Sequence, residues 1–388
     1  MDKNKRLTVW LPVIIAASIA LGIFIGNHYL SISQGKKRSY SSGNKINAIL
    51  DIIDEQYVDT VSMSKLVEST IPKIFSELDP HSVYIPAEDA SVVNEELEGS
   101  FSGIGVSFNM QTDTILVISV ISGGPAEKAG LLPFDRIISI NDSIFSGKKK
   151  NQGEIMKTLR GAKNSTVKLG VQRGNSPELL YFDVTRGDVP VNSVDVSYEA
   201  AKGIGYIKVS KFARNTYNEF ITAIAKLKQA GCTSFVIDLR GNTGGYMDAA
   251  INMINEFMPE GRLIVYTEGK SFPRSDVYAN GTGTCKDAPI VVLTDEISAS
   301  ASEIFSGAIQ DNDRGTIVGR RTYGKGLVQT QMSLSDGSEM RLTIARYYTP
   351  SGRCIQKKYE MGNTDAYDQD IYNRYMHGEF DSADSIKM

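Results

Sequence analysis

Hydrophobic positions change their rhythm several times along this chain, and each rhythm predicts a different kind of element. From Leu7 to Ile25 the residues are apolar apart from Thr8, Pro12, Ser18 and Gly22, with Lys3, Lys5 and Arg6 just ahead of them. About 19 residues rising ~1.5 Å each come close to the ~30 Å hydrocarbon core of a bilayer. The pattern predicts an uncleaved membrane anchor over 1–30, with its positive flank in the cytoplasm and everything after it outside. Lys36, Lys37 and Arg38 on the far side weaken that charge asymmetry. A cleaved signal peptide is the alternative. It calls for a shorter apolar region and a small-residue cleavage site, which the following GNHYLSISQ does not supply.

Residues 31–44, SISQGKKRSYSSGN, have the Ser, Gly and Lys content of a linker. Over 45–95 apolar residues recur at helical spacing, at Ile46, Ile49, Leu50 and Ile53, then Leu66, Val67, Ile71, Ile74 and Phe75. A small helical segment is expected there, and the run LDPHSVYIP places His81 in a structural turn. Between 96 and 187 the pattern turns to short apolar strands parted by glycine: SFSGIGVSFNM, DTILVISVI, DRIISIND, STVKLGVQR and LLYFDVTR. With helical pieces in GGPAEKAGL and GEIMKTLRGAK, this predicts a compact, partly open barrel. Over 188–360 strand and helix alternate, from GIGYIKVSKF and TYNEFITAIAKLKQAG through SFVIDLR and MDAAINMINEFM to PIVVLTD and ASEIFSGAIQDN. That alternation predicts an α/β sheet layered with helices. Residues 361–388 read as a polar tail.

Composition narrows the partners more than the fold. With 41% apolar and 22% charged residues in a chain of 388, core formation is expected. A net charge of −3 leaves no basic face, so no nucleic-acid partner is expected. Cys232, Cys285 and Cys354 lie far apart at no metal-ligand spacing, and an odd count closes no disulfide framework. They read as small buried hydrophobes or unpaired thiols.

Three segments of the α/β region are candidates for chemistry. DLRGNTGG, from Asp238 to Gly245, is a glycine-rich turn from strand to helix, where main-chain N–H groups and the helix dipole favour negative charge. It lacks the Lys-Ser/Thr of a phosphate loop, so a developing oxyanion and an ordinary tight turn remain as its readings. TDEISASASEIF holds Ser300 where a strand gives way to a helix. Ser300 and Glu303 fit a capping box, so the serine is either a helix cap or a nucleophile at the carboxyl edge of the sheet. RTYGKGLVQTQMSL carries Lys325 between two glycines, and in a strand Lys325, Leu327 and Gln329 share one face. Gln329 can then hold the lysine amine, unless Lys325 is simply an exposed turn residue.

An absence sharpens the choice. A Ser-His-Asp triad needs a histidine. His28 borders the apolar run, His81 belongs to the helical segment and His377 to the tail, so none is expected near the serines. A nucleophilic Ser300 then requires a lysine base, whose pKa must fall by burial away from carboxylates.

DLRGNTGG, SASASE and YGKG with Gln four residues after the Lys, in this order behind the barrel segment, resemble the carboxy-terminal processing peptidases, or tail-specific proteases. The resemblance runs from about Lys45 to Gln356. It implies a crotonase/ClpP-like layered α/β protease core, a preceding PDZ domain of β-barrel type and a serine–lysine dyad. It puts the nucleophile on Ser300, the base on Lys325 and its orienting partner on Gln329. The oxyanion hole falls on the N–H of Ala301 with that of Gly244 or Gly245, while Glu303, Asp311 and Thr322 match supporting positions. No metal and no cofactor is implied.

In the PDZ segment, Ser102, Gly103, Ile104, Gly105 and Val106 resemble the loop that holds a peptide's terminal carboxylate, with Met156 and Leu159 completing an apolar pocket. The resemblance therefore implies a serine endopeptidase that takes unfolded or tagged extracytoplasmic proteins by free apolar carboxyl termini, and the anchor places its catalytic part on the periplasmic side of a bacterial inner membrane. A homodimer is compatible with it. After SGRCIQKKY the family continues with further strands, whereas this chain ends in an Asp- and Tyr-rich tail, which reads as a truncation. A non-catalytic PDZ adaptor on a degenerate core, and less so a crotonase-like acyl-CoA enzyme, are the alternatives in function.

Overall fold

The computed structural model describes residues 16–22, 42–111, 114–147 and 152–386. The chain forms two compact units, Met1–Ser69 and Thr70–Met388. In the first, residues 16–22 are helical, and α1 (Ser42–Gln56) leaves Ile46, Ile49 and Ile52 exposed. Helix α2 (Met63–Ser76) begins in this unit. No helix among the described residues is long and apolar enough to cross a membrane. This corrects the expectation of a single-pass anchor over 1–30 and, with it, the periplasmic placement drawn from that anchor. The helix described within the apolar run covers residues 16–22, far short of ~30 Å at ~1.5 Å per residue. The rest of 1–30 lies outside the described residues.

The second unit opens with β1 (Val83–Ile85) and α3 (Ala87–Glu98). The glycine-parted apolar runs then become β2 (Ser100–Gly103), β3 (Val106–Gln111), β4 (Thr114–Val120), α4 (Pro125–Ala129), β5 (Arg136–Ile140), β6 (Ser143–Ile144), α5 (Gln152–Leu159), β7 (Thr166–Gln172), β8 (Leu180–Thr185) and β9 (Gly187–Pro190). Strands β3-β4-β5-β7-β8 follow one another across an antiparallel sheet, β6 pairs β5, and β2 pairs β9. Period-two alternation turns Ile115 and Val117 of β4, Ile137 of β5 and Leu169 of β7 inward, where they meet Ile155 of α5.

The α/β core follows as β10 (Val194–Ala201), β11 (Ile204–Val209), α6 (Thr216–Gln229), β12 (Ser234–Asp238), α7 (Met247–Asn255), β13 (Leu263–Glu268), β14 (Ser275–Tyr278), β15 (Ile290–Thr294), α8 (Ala301–Asp311), β16 (Thr316–Gly319), β17 (Leu327–Ser333) and β18 (Glu339–Tyr348). Its main sheet runs β10-β11-β12-β15-β16. The pairs from β11 to β16 are parallel and β10 is antiparallel at the edge. Parallel neighbours need long crossovers, which α6, α7 and α8 provide. Helix α6 buries Phe220, Ala223, Ile224 and Leu227, one stripe at helical spacing. A second, antiparallel sheet orders β1-β18-β13-β14, with β17 on β18.

Helix α8 is buried at every position from Ala301 to Ile309. It packs on α7 and also against β13 and β16, so this helix lies between elements of both sheets. Small residues permit this closeness: a Cβ on Gly307 would stand 2.9 Å from Thr349 Cγ2. Phe257 ties the layers, meeting the rings of Phe220, Phe235 and Phe305 edge-on at 6.2, 6.3 and 6.5 Å. The fold is thus a mixed α/β core beside a barrel, as the sequence predicts. Cys232 and Cys285 are buried in this core and Cys354 is exposed.

The tail carries α9 (Thr364–Asp368) and α10 (Asp370–Met376). Arg374 and Glu379, each 5% exposed in its side chain, pair at 2.8 Å. The Arg374 guanidinium also donates to the Thr322 carbonyl at 3.1 Å, which binds the tail to the segment leading into Lys325.

Candidate active site

Two turns meet at the carboxyl edge of the parallel sheet, one after β12 and one after β15. Asn242, fully buried, joins them. Its amide nitrogen donates to the Val209 carbonyl at 3.0 Å, and its Oδ1 accepts from Gly244 N–H at 2.8 Å. Its own carbonyl accepts from Ala299 N and from Ser302 Oγ, both at 3.0 Å. The two backbones touch: a Cβ on Gly244 (φ 100°) would lie 2.7 Å from Ala299 O, 2.8 Å from Ser300 Cβ and 3.0 Å from Ala301 N. Glycine is therefore required at 244 by both space and backbone angle. At Gly245 a Cβ would stand 2.1 Å from the Phe212 carbonyl.

Of the three alternating serines, two are spent on structure. Ser298 Oγ donates to Leu239 O at 2.8 Å, Ser302 Oγ to Asn242 O, and both residues are wholly buried. Ser300 is half-buried, with φ 55° and ψ −111°. A non-glycine residue in this region is strained, and such strain collects at functional sites. It marks a sharp strand-to-helix turn that lifts a side chain off the sheet edge.

Glu303, 5% exposed, binds this turn to the next segment. Its Oε2 accepts from the main-chain N–H of both Ser300 and Lys325, each at 2.8 Å. Its Oε1 accepts from Gly324 N and Thr322 Oγ1, each at 2.7 Å. One carboxylate oxygen therefore holds the backbones of Ser300 and Lys325 side by side. Burial pushes the Glu303 carboxyl up, against the pull of these four donors. Asp311 accepts from Ser351 Oγ at 2.6 Å and pairs with Arg353, fixing the end of α8.

Lys325 stands two residues ahead of β17 rather than within it. The glycines beside it have a packing reason. A Cβ on Gly326 would be 2.4 Å from Gln356 N, and one on Gly324 would be 2.9 Å from Lys357 Cβ. Burial, then the Arg341 guanidinium, holds the Lys325 amine below its ordinary value, with Asp79 and Glu303 opposing. A bulge between Val328 and Gln329 breaks the strand alternation. Gln329 Nε2 donates to the main-chain carbonyl of His81.

His81 was expected away from this region, and the structure corrects that. The turn before β1 folds onto β18, with Asp79 accepting from His81 N at 3.0 Å and from Thr343 Oγ1 at 2.9 Å. His81 Nε2 lies 2.9 Å from the Tyr367 hydroxyl. Burial, followed by the charge of Lys325, pulls its pKa down to about 4, so the ring is neutral at pH 7. The sequence reads His81 as a structural turn residue and gives Asn242 and Tyr367 no role; of the three, only Asn242, inside the glycine-rich motif, carried a local signal toward the site.

In the barrel, a cavity of about 230 Å³ is lined by Ile104, Gly105, Val106, Met156 and Leu159, with Phe101 and Arg160 among the others. Ser102 and Gly103 lie in β2, opposite Asp188 and Gly187 of β9, and do not line it.

A strained serine turn against a glycine-rich turn, on an α/β core that follows a small barrel, points to the class of serine proteases that carry a PDZ domain, and comparison with known proteins agrees. Peptidase family S41 matches residues 203–365 and the PDZ domain matches 102–195. The chain is 35% identical over 318 residues to the carboxy-terminal processing protease CtpB of Bacillus subtilis (strain 168), covering 81% of this chain and 66% of that one. It is 33% identical over 365 residues to a probable CtpA-like serine protease of Staphylococcus aureus (strain N315), covering 92% and 72%. Among solved structures, a photosystem II D1 C-terminal processing protease shares 28% identity at a TM-score of 0.46, covering 82% of this chain and 91% of that one. The chain belongs to peptidase family S41, among the PDZ-bearing carboxy-terminal processing serine proteases.

Proposed function

We propose that this chain is an endopeptidase in which Ser300 is the nucleophile and Lys325 its general base. The observation that carries this reading is the shared Glu303 oxygen, which sets the two residues' backbones side by side at the end of a strained turn. The neutral lysine amine takes the Ser300 proton as the oxygen attacks the peptide carbonyl, then returns it to the departing amine. The negative oxygen of the tetrahedral intermediate falls to main-chain N–H groups. Gly244 N–H already donates to Asn242, which favours Gly245, together with Ala301, for that role. Substrates are unfolded polypeptides, captured in the barrel cavity by a free apolar carboxyl end.

The test is cleavage of casein followed against pH. The rate should rise with pH through a midpoint below the usual lysine value, because only the unprotonated amine accepts the proton. Lys325→Arg should be as inactive as Lys325→Ala, since a guanidinium does not deprotonate in proteins. A folded Lys325→Arg variant with near-normal rate sinks the assignment.

A further inference from the structure

Two positions that follow Lys325, Gly326 and Gln329, are joined by hydrogen bonds that run through distant parts of the chain. The Gly326 N–H donates to Gln356 Oε1 at 2.8 Å, which fixes the orientation of that amide. Gln356 Nε2 donates to the Tyr367 hydroxyl oxygen at 3.2 Å. The Tyr367 hydroxyl lies 2.9 Å from His81 Nε2, and the His81 carbonyl accepts from Gln329 Nε2. The circuit leaves the lysine segment at Gly326 and returns to it at Gln329. Along the way it takes in the turn before β1, the irregular segment at Gln356 and the tail helix α9.

The Tyr367 hydroxyl is the junction of the circuit: its oxygen accepts from Gln356 and lies within hydrogen-bond reach of a neutral His81 imidazole, whose tautomer sets which of the two donates. The charged and titratable groups facing the ring are Lys325 and Lys357, which disfavour protonation, Asp79, which favours it, and Tyr367. The tyrosine is itself pinned. Its ring stands edge-on to His81 at 5.2 Å, and Lys357, paired with Asp370 at 3.0 Å, lies 4.1 Å over it.

We propose that His81 and Tyr367 are positioning residues for Lys325, holding the chain just after the lysine at Gly326 and Gln329 so that its half-buried amine stays where it can serve as base. With its nitrogen committed to His81, Gln329 keeps its carbonyl oxygen for the lysine amine. This deepens the proposed function and rests on Lys325 being the base.

The test uses Tyr367→Phe, which removes one oxygen and keeps the ring. Two readouts are needed on the purified protein: kcat and KM on casein, and the pH profile of inactivation by a fluorophosphonate, which reports the serine directly. Misplacing a catalytic group by a fraction of an ångström should lower kcat on the order of 10- to 100-fold. KM should change little, and the midpoint of the inactivation profile should move upward towards the ordinary lysine value. His81→Gln, which keeps a polar group near the Nε2 position, should retain more activity than His81→Ala, and this pair decides the matter if Tyr367→Phe does not fold. An unmoved midpoint in Tyr367→Phe, with or without a loss of active protein, overturns the proposal. Lys325→Ala separates the two ideas. If it is inert while Tyr367→Phe behaves as wild type, the circuit alone is wrong; if it reacts as wild type does, the base assignment falls and the circuit's role with it.

Discussion

Glu303 has every lone-pair direction towards the site occupied, by three main-chain N–H groups and the Thr322 hydroxyl. Glu303→Gln keeps the shape and replaces one acceptor oxygen with an NH₂ that faces N–H donors. Leaving a buried donor unpaired costs about 1–3 kcal/mol, so a drop of that order should appear in urea unfolding. Proteolysis should fall further than stability does, because the same oxygen sets Ser300 beside Lys325. His81 offers a second residue-level expectation. Its ordinary pKa is 6.5 in the unfolded chain and about 4 when folded. Between those values the unfolded state binds more protons, so folding stability declines as pH falls from 6.5 to 4. Unfolding midpoints across that window should depend less steeply on pH in His81→Gln, and an identical slope would mean that the imidazole is not buried as described.

At the scale of elements, the sequence is legible wherever an element is specified locally. The apolar runs of β12 and β15, the amphipathic α6 and the glycine-rich turn at Gly244 each announce themselves within a few residues. The edge strands β10 and β16 did not, because their residues are exposed or half-buried throughout and show no inward-facing apolar row. The bulge before Gln329 also escaped notice, since it is set by pairing with β18 and not by its own residues. His81 was misplaced for the same reason: it reaches the site through β1 pairing β18, a contact across some 250 residues of chain that no local pattern carries. The barrel gives this scale its own prediction. Since Ile104, Val106, Met156 and Leu159 line one cavity, a peptide with a free apolar carboxyl end should bind the protein more tightly than its amidated twin. Equal affinities, measured by calorimetry, would remove the carboxylate from the recognition.

At the scale of the whole molecule, the three thiols sort themselves by depth. Cys232 and Cys285 are sealed in the core, where burial also pushes both thiols up, while Cys354 faces solvent. A thiolate is the reactive form, so a chromogenic disulfide reagent should consume one equivalent per native chain at once. The other two should follow only as fast as the core opens. The molecule thereby carries its own clock. For any site variant, one prompt equivalent means that chemistry alone was lost, and three mean that the fold went with it. Three prompt equivalents from the unaltered protein would show that the core is not closed as described.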